Sequence, residues 1–577
     1  MAGARRGFLT LLGAGAATAA AIVYVGLAGP DGLPSLPGLS PEAVEVSVAS
    51  SVTKRSWLEA AAAGFQADDP RTKSGKPIRI TISNVLSGDS MLAIQEGRLT
   101  PTVWSPGESA WVDQLDQGWQ GARPAHSQAC APVVLTPVGL AMWKPMAEAL
   151  GWPDRKVGWK TLVDLANAPD GWAGYGHSEW GRLKLGHTHP QYSSAGLLFL
   201  ASVIYGVTGK TEGITPADVY DPKVETALRA LAQNTARYGM VTTDLLNGMA
   251  AKGPDFLHVA AAFEEGTVRM NRDKADALRW PLVFLFPQEG TFWSDHPYCV
   301  MDGLPGADPE AAEAAAMFRD HLLSAPVQAV AGDYLVRPLD PAVPLGPALS
   351  QATGTDPSAN PGNVPPFSLP SPDLSKAIID QFLTTKRKAT VVLALDVSGS
   401  MGGERIASAT TASSEFIRRL NRDDRLGVLL FSSTVQALGP VAPVSAVGEE
   451  RAAQVAGLFA GGGTAMNDAV CEAARIVEEE GRRDRAAGDN RLYGIVLLSD
   501  GADSSSATST EKMMATCLKR AGAGSETGET PRIFVIAYGE DVDNSVLKSL
   551  AAETGGAVLS ADPQSLKSTY LKLSAEQ

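Results

Sequence analysis

Three short stretches in the last third of the chain place oxygen-bearing side chains at spacings that suit one kind of chemistry. Asp396-Val397-Ser398-Gly399-Ser400 offers a carboxylate and two hydroxyls on alternate residues. Gly461-Gly462-Gly463-Thr464 ends a flexible loop in a hydroxyl, and Ser499-Asp500-Gly501 supplies a second carboxylate. Alternate residues of a loop can face one point, so Asp396, Ser398 and Ser400 can converge, with Thr464 and Asp500 completing a ring. Hard oxygen donors of this kind suit a small hard cation, Mg²⁺ with Mn²⁺ or Ca²⁺ as alternatives, rather than zinc. A phosphate loop fits less well, because no Lys follows the glycines. Turn capping without a metal would need three independent coincidences. Asp468, four residues after Thr464, reads either as support for the ring or as an exposed helix acid.

These residues need strands to deliver them. Residues 391–395, 426–431, 492–498 and 533–538 are continuous apolar runs separated by helical stretches. That pattern predicts a parallel sheet covered on both faces, with ligand loops at its carboxyl edge, where Asp396 and Asp500 fall. In order and spacing the motifs resemble the von Willebrand factor A domain with its metal-ion-dependent adhesion site, over about residues 388–575. The resemblance implies that Ser398, Ser400 and Thr464 contact the ion directly, and Asp396 and Asp500 directly or through water. It also implies an open coordination position for a carboxylate from a partner protein.

Upstream, from Glu45 to about Pro338, short apolar strands alternate with helices, which implies α/β layering. This stretch resembles bacterial extracytoplasmic solute-binding proteins of the two-lobed, hinged type. Strand ends and helix starts there carry hydroxyls at Ser50, Ser51, Ser87, Ser105, Ser193, Ser194 and Thr291. Helix N-termini and hydroxyls favour an anionic solute, although each serine equally suits helix capping. The combination is similar to actinobacterial membrane proteins that fuse such a clamshell to a von Willebrand A domain. On this plan Cys130 and Cys299 flank the hinge and are expected to form a disulfide. The A-domain strand order makes neighbours of the helices bearing Cys471 and Cys517, and so allows a second bond; free thiols are the alternative. His177, His187 and His189 are expected to pack rather than bind metal, and Trp172, Trp180 and Trp293 to pack rather than stack on sugars.

Composition bounds the rest. The 577 residues include 44% hydrophobic and 19% charged residues, enough apolar material for large cores. With 49 basic against 63 acidic residues the formal charge is −14, which disfavours a nucleic-acid binder. All seven histidines precede Pro338, and no nucleophile–His–acid set, GxSxG or HExxH occurs, so an enzyme is not expected. Up to Pro30 the only charges are Arg5 and Arg6, and residues 7–28 form an uncharged run long enough to span a bilayer. The leading arginines favour a cytoplasmic N-terminus. Residues 1–28 therefore read as a transmembrane anchor, with a cleaved twin-arginine export signal as the alternative.

The expected organisation is an anchor (1–28), a Pro/Gly-rich stalk (29–43), a two-lobed clamshell (44–337), a Pro-rich linker or wrapping loop (338–373) and a doubly wound A domain (374–577). The expected function is Mg²⁺-dependent recognition of a protein or other ligand outside the cytoplasmic membrane. A solute receptor of a transport system, capturing a small anion, is the alternative.

Overall fold

The structure, a computed structural model, describes residues 43–489, 491–500, 503–518, 531–539, 544–554, 556–562, 566, 569 and 570. The expected anchor, all but the last residue of the stalk, and Gly501 lie outside the described residues. Among those described, no helix is long and apolar enough to cross a membrane.

Lobe I rests on a five-stranded sheet in the order Ile78–Asn84, Val44–Ser50, Val103–Ser105, Pro297–Val300, Ala131–Pro132. Its first three strands are parallel, and Pro297–Val300 returns antiparallel. In lobe II the strand Thr136–Trp143 pairs antiparallel with both Val259–Phe263 and Leu282–Leu285. Thr136–Trp143 is buried along its whole length, as a strand flanked on both edges and covered by helices must be. The chain crosses between the lobes after Ala131–Pro132 and again between Trp293–Ser294 and Pro297–Val300. Beside these crossings the Cys130–Cys299 disulfide joins residues whose Cα atoms are 4.4 Å apart.

The proline-rich stretch wraps lobe II rather than hanging between modules. Arg337 pairs with Leu135 at the hinge, and its buried guanidinium binds Glu264 through two 2.7 Å contacts. The same guanidinium donates to the carbonyls of Ala359 (2.5 Å) and Asp356 (2.9 Å). Further along, Thr291 N–H donates to Pro365 O at 2.9 Å and Phe367 N–H to Thr291 O at 2.8 Å. Phe367 stacks on Tyr205 with 4.4 Å between centroids. Proline fixes φ and supplies no N–H, so a strap of this composition is held by its side chains and a few carbonyls.

The C-terminal sheet runs Val435–Ala437, Arg425–Phe431, Ala389–Asp396, Leu492–Ser499, Arg532–Tyr538, Val558–Ala561, and all but the first pairing are parallel. The helices Met466–Ala487 and Pro309–Leu322 show the same logic of covering apolar strands, one in each module. Cys471 and Cys517 are bonded, with Cα atoms 5.1 Å apart. The sheet stands on lobe II by its amino edge: Arg387 donates to Thr235 O (3.4 Å), Arg532 to Ala236 O (3.2 Å) and Lys252 to Ala552 O (3.3 Å). Ala389–Asp396 has eight residues, so its carboxyl end lies ~25 Å from that contact at about 3.3 Å per residue.

Between the modules lies the helix Pro372–Thr385. Ser371 caps it by accepting the Leu374 N–H at 3.2 Å, and Pro372 suits its first turn. It packs on Ser109–Gly118 of lobe I and on Ser194–Thr208, Pro216–Val219 and Pro222–Gln233 of lobe II. Its Phe382 ring lies 5.9 Å from His187, 5.0 Å from His189 and 5.6 Å from Tyr238.

Candidate functional sites

Each oxygen-bearing loop of the C-terminal sheet is set by its strand. Asp396 closes its strand with Oδ1 accepting the Ser398 N–H (2.9 Å) and Oδ2 the Ser499 hydroxyl (2.5 Å). The Ser398 and Ser400 hydroxyls lie 3.0 Å apart, and Ser400 donates to Asp500 Oδ1 at 2.8 Å. Four of the expected donors thus form one hydrogen-bonded chain. The glycine loop lies alongside: Gly461 N–H donates to Val397 O (2.8 Å) and Gly399 N–H to Gly462 O (2.9 Å). Gly462 has φ +86, and a Cβ there would stand 2.9 Å from Ser433 Oγ, so both backbone and space call for glycine. Thr464 follows, buried, its N–H on Ser504 Oγ at 3.0 Å.

Asp468 is neither a free acid nor a member of the chain. It accepts the N–H groups of Ala507 (2.8 Å) and Thr508 (3.0 Å), which fastens the segment that follows Asp500. Arg405 was not singled out from the sequence, yet its Nη1 donates to Asp500 Oδ2 at 2.8 Å. Burial raises the Asp396 carboxyl above its ordinary value; the Ser398 and Ser499 hydrogen bonds pull it down, and the charge of Asp500 pushes the same way as burial. Two carboxylates with one neighbouring guanidinium leave the cluster one charge negative. Among the described residues no three His, Cys, Asp or Glu side chains group as a zinc site would need. A hard cation here would rest on Asp396, Asp500, Ser398 and Ser400, with Thr464 on the adjoining loop.

The second site is a cavity of about 280 Å³ between the lobes, near the lower end of the ~300–1,000 Å³ range of ligand pockets. Ser51, Ser87, Ser193 and Ser194 line it. Three helices start on its wall, Ser87–Gln95, Ser194–Thr208 and Thr242–Lys252, and none has a side chain capping its first turn. Ser194 also bridges the lobes, accepting the Trp111 indole N–H at 2.9 Å and donating to Ser87 Oγ at 3.4 Å. Arg55 of lobe I and Arg269 of lobe II face the cavity, Arg269 paired with Glu265. Burial lifts the Glu265 carboxyl to about 7.

Three expected hydroxyls do not line this cavity. Ser50 donates to Ser51 O at 3.1 Å, Ser105 to Pro297 O at 2.7 Å, and Thr291 to Val138 O. Side chains alternate along a strand, so Ser50 and Ser51 cannot both face the cleft, and Thr291 is held within lobe II by Val138 and the proline-rich strap. Thr242 and Thr243 take part instead; their signal was a hydroxyl pair opening a helix after Tyr238-Gly239.

Behind the wall lie two buried ionisable groups that the sequence did not mark. Lys54 Nζ donates to Ser51 Oγ (2.9 Å), Ser105 O (2.9 Å) and Pro106 O (3.2 Å), and burial lowers it to about 7. Glu108 is fully buried, and burial raises it to about 8 against the pull of the neighbouring Ser194 and Trp111 side chains. The histidines and tryptophans pack. Burial lowers His187 to about 4 and His189 to about 3, so both are neutral beside Phe382. His177 stacks on Trp180 at 3.9 Å, Trp180 meets Trp172 edge-on at 5.2 Å, and Trp293 lies 6.1 Å from Phe286.

Comparison with known proteins agrees with both modules. The family model for the von Willebrand factor type A domain matches residues 390–571, and that for bacterial extracellular solute-binding proteins matches residues 46–334, half of the 577-residue chain. The chain is 29% identical over 176 residues to inter-alpha-trypsin inhibitor heavy chain H4 from Homo sapiens, which covers 30% of this chain and 18% of that protein. It therefore spans less than a fifth of that relative's length. Among solved structures it is similar to a von Willebrand factor type A protein from Catenulispora acidiphila, at 22% identity and TM-score 0.28, over 33% of this chain and 42% of that one. It is also similar to the periplasmic binding protein AfuA from Actinobacillus pleuropneumoniae, whose structure holds fructose-6-phosphate, at 14% identity and TM-score 0.41, over 59% of this chain and 98% of that one. The chain belongs to the bacterial extracellular solute-binding protein family and carries a von Willebrand factor type A domain behind its clamshell.

Proposed function

We propose that the protein is an extracytoplasmic binding protein, held at the membrane by residues 1–28, whose A domain recognises a partner carboxylate through Mg²⁺. The observation that carries this reading is the chain Asp396–Ser398–Ser400–Asp500 at the carboxyl edge of the sheet, with the glycine loop alongside. Its donors are all oxygens, and its negative charge exceeds what Arg405 offsets, so the residues fit a hard divalent ion. Bound there, the ion would supply a Lewis-acidic position for the partner's carboxylate. The chain's own residues hold that position: Asp396 is fixed by Ser499, and Asp500 by Ser400 and Arg405. Calorimetric titration of the full chain with MgCl₂ and MnCl₂ tests this against Asp396→Ala. A saturable signal abolished by the substitution is expected, and equal heats in both proteins would reject the reading.

A second activity rests on a separate observation, the three uncapped helix starts in the interlobe cavity. Unsatisfied N–H groups and aligned dipoles favour an anion, and Arg55 and Arg269 face the cavity from the two lobes, each paired with a glutamate, Glu59 and Glu265. The clamshell on this reading captures a small anionic solute, for delivery to a transporter or as a signal to the A domain. A thermal-shift panel of inorganic and organic anions tests it, since a ligand that binds only the folded state raises its melting point. A rise with one anion that Thr242→Ala/Thr243→Ala reduces is expected; no rise with any anion would reject it.

A further inference from the structure

Phe459 is 88% exposed, whereas the next most exposed large apolar residue among those described, Tyr220, is 49% exposed. Its position explains why the ring points outward. Leu458 and Ala460 on either side are partly buried against the core, while Phe459 between them is left to solvent. Two residues later Gly461 donates to Val397 O at 2.8 Å, between Asp396 and Ser398. At about 3.5 Å per residue the Phe459 Cα therefore lies within ~7 Å of the glycine that adjoins the metal cluster. Gly461 and Gly462, which follow, are exposed glycines, so no side chain of theirs intervenes between the ring and the cluster. The whole edge points away from the clamshell, because the sheet meets lobe II at its opposite end.

We propose that Phe459 is the apolar half of a docking surface whose polar half is the metal cluster. Its occupant is a polypeptide segment with an Asp or Glu carboxylate and a large apolar side chain about two to four residues away, the span an extended strand covers at ~3.3 Å per residue. The inference rests on the metal reading above. A divalent ion would turn the cluster from one negative charge to one positive, which selects an acidic segment, and Phe459 then selects among acidic segments. Exposed aromatic rings next to a polar anchor are where binding energy concentrates at interfaces.

The test uses synthetic peptides of Gly and Ser with one Asp and one Leu at varied spacing, titrated into the full chain with Mn²⁺ present. Mn²⁺ binding itself is followed by electron paramagnetic resonance. Phe459→Ser removes no core contact, so it isolates the docking role. The Asp–Leu peptide is expected to bind about tenfold more tightly than its Leu→Ser version. That difference should vanish in Phe459→Ser, while Asp→Asn should abolish binding to either protein. Equal affinity for the two peptides in the wild type, or an undiminished Leu preference in Phe459→Ser, would overturn the inference. Bound Mn²⁺ with no peptide binding would overturn it while leaving the metal reading intact, and no bound Mn²⁺ would overturn both.

Discussion

Replacing Arg405 with Gln should tighten divalent-cation binding. Arg405 Nη1 stands 2.8 Å from Asp500 Oδ2, so in the metal-free protein the guanidinium supplies the positive charge that the cluster needs. An ion about 2.1 Å from Oδ2 itself would be at most about 5 Å from Nη1 of the guanidinium. Repulsion between charges of +2 and +1 at that distance is ~2 kcal/mol in a water-like dielectric and ~7 kcal/mol at an effective constant of 20. The Arg405 side chain is 43% exposed, so the lower value applies, which corresponds to about thirtyfold in Kd. Mn²⁺ titration calorimetry at fixed ionic strength measures it. The gain should shrink as salt is raised, because screening weakens an exposed charge first. Unchanged or weaker Mn²⁺ affinity in Arg405→Gln would refute the reasoning and make the arginine a stabiliser of the ligand geometry instead.

Three other predictions follow from buried groups. Arg337→Met leaves Glu264 buried without its cation, so unfolding should become easier by about 3–5 kcal/mol in urea melts, and adding Glu264→Leu should restore most of the loss. Glu108 has a folded pKa of about 8, above its unfolded value, so the fold holds a proton that the unfolded chain releases. Its contribution to stability is full at acid pH and is lost as pH rises from about 4.5 to 8; Glu108→Gln should flatten that decline, and an equal offset from wild type at pH 5.5 and 8.5 would contradict it. Mild reduction of Cys130–Cys299, which joins residues 169 positions apart, should lower stability by about 2–5 kcal/mol, read from the melting point with and without reductant.

The cluster of oxygen-bearing side chains was legible because each part is local. A strand ends in Asp396 or Asp500, the alternation within Asp396-Val397-Ser398-Gly399-Ser400 is set by neighbours, and three glycines announce a loop that can approach a backbone closely. Arg405 carried no such mark, since its partner Asp500 is 95 residues away and becomes adjacent only when two parallel strands pair. The clamshell hydroxyls were legible in part for the same reason. A serine before a helix marks a wall residue, as at Ser87 and Ser194, but nothing local says which of Ser50 and Ser51 faces the cleft; the pleat of the sheet decides. The buried pair Lys54 and Glu108 was invisible, because charged residues read as surface until long-range packing encloses them. Composition marked residues 338–373 as irregular but not what they rest on, since an Arg337–Glu264 contact depends on the fold of lobe II.

The helix Pro372–Thr385 makes the two modules hard to divorce. A polypeptide cut at the end of the clamshell match, residue 334, would lose Arg337 and so strand the Glu264 carboxylate in an apolar wall. It would also strip Phe382 from His187, His189 and Tyr238, opening an aromatic scar on lobe II. Because the same helix touches lobe I through Gln117 and Asp373 at 3.4 Å, it works as a splint across the jaw of the clamshell. Widening of the jaw would have to shift this helix, whose last residue lies four positions before the strand that ends in Asp396.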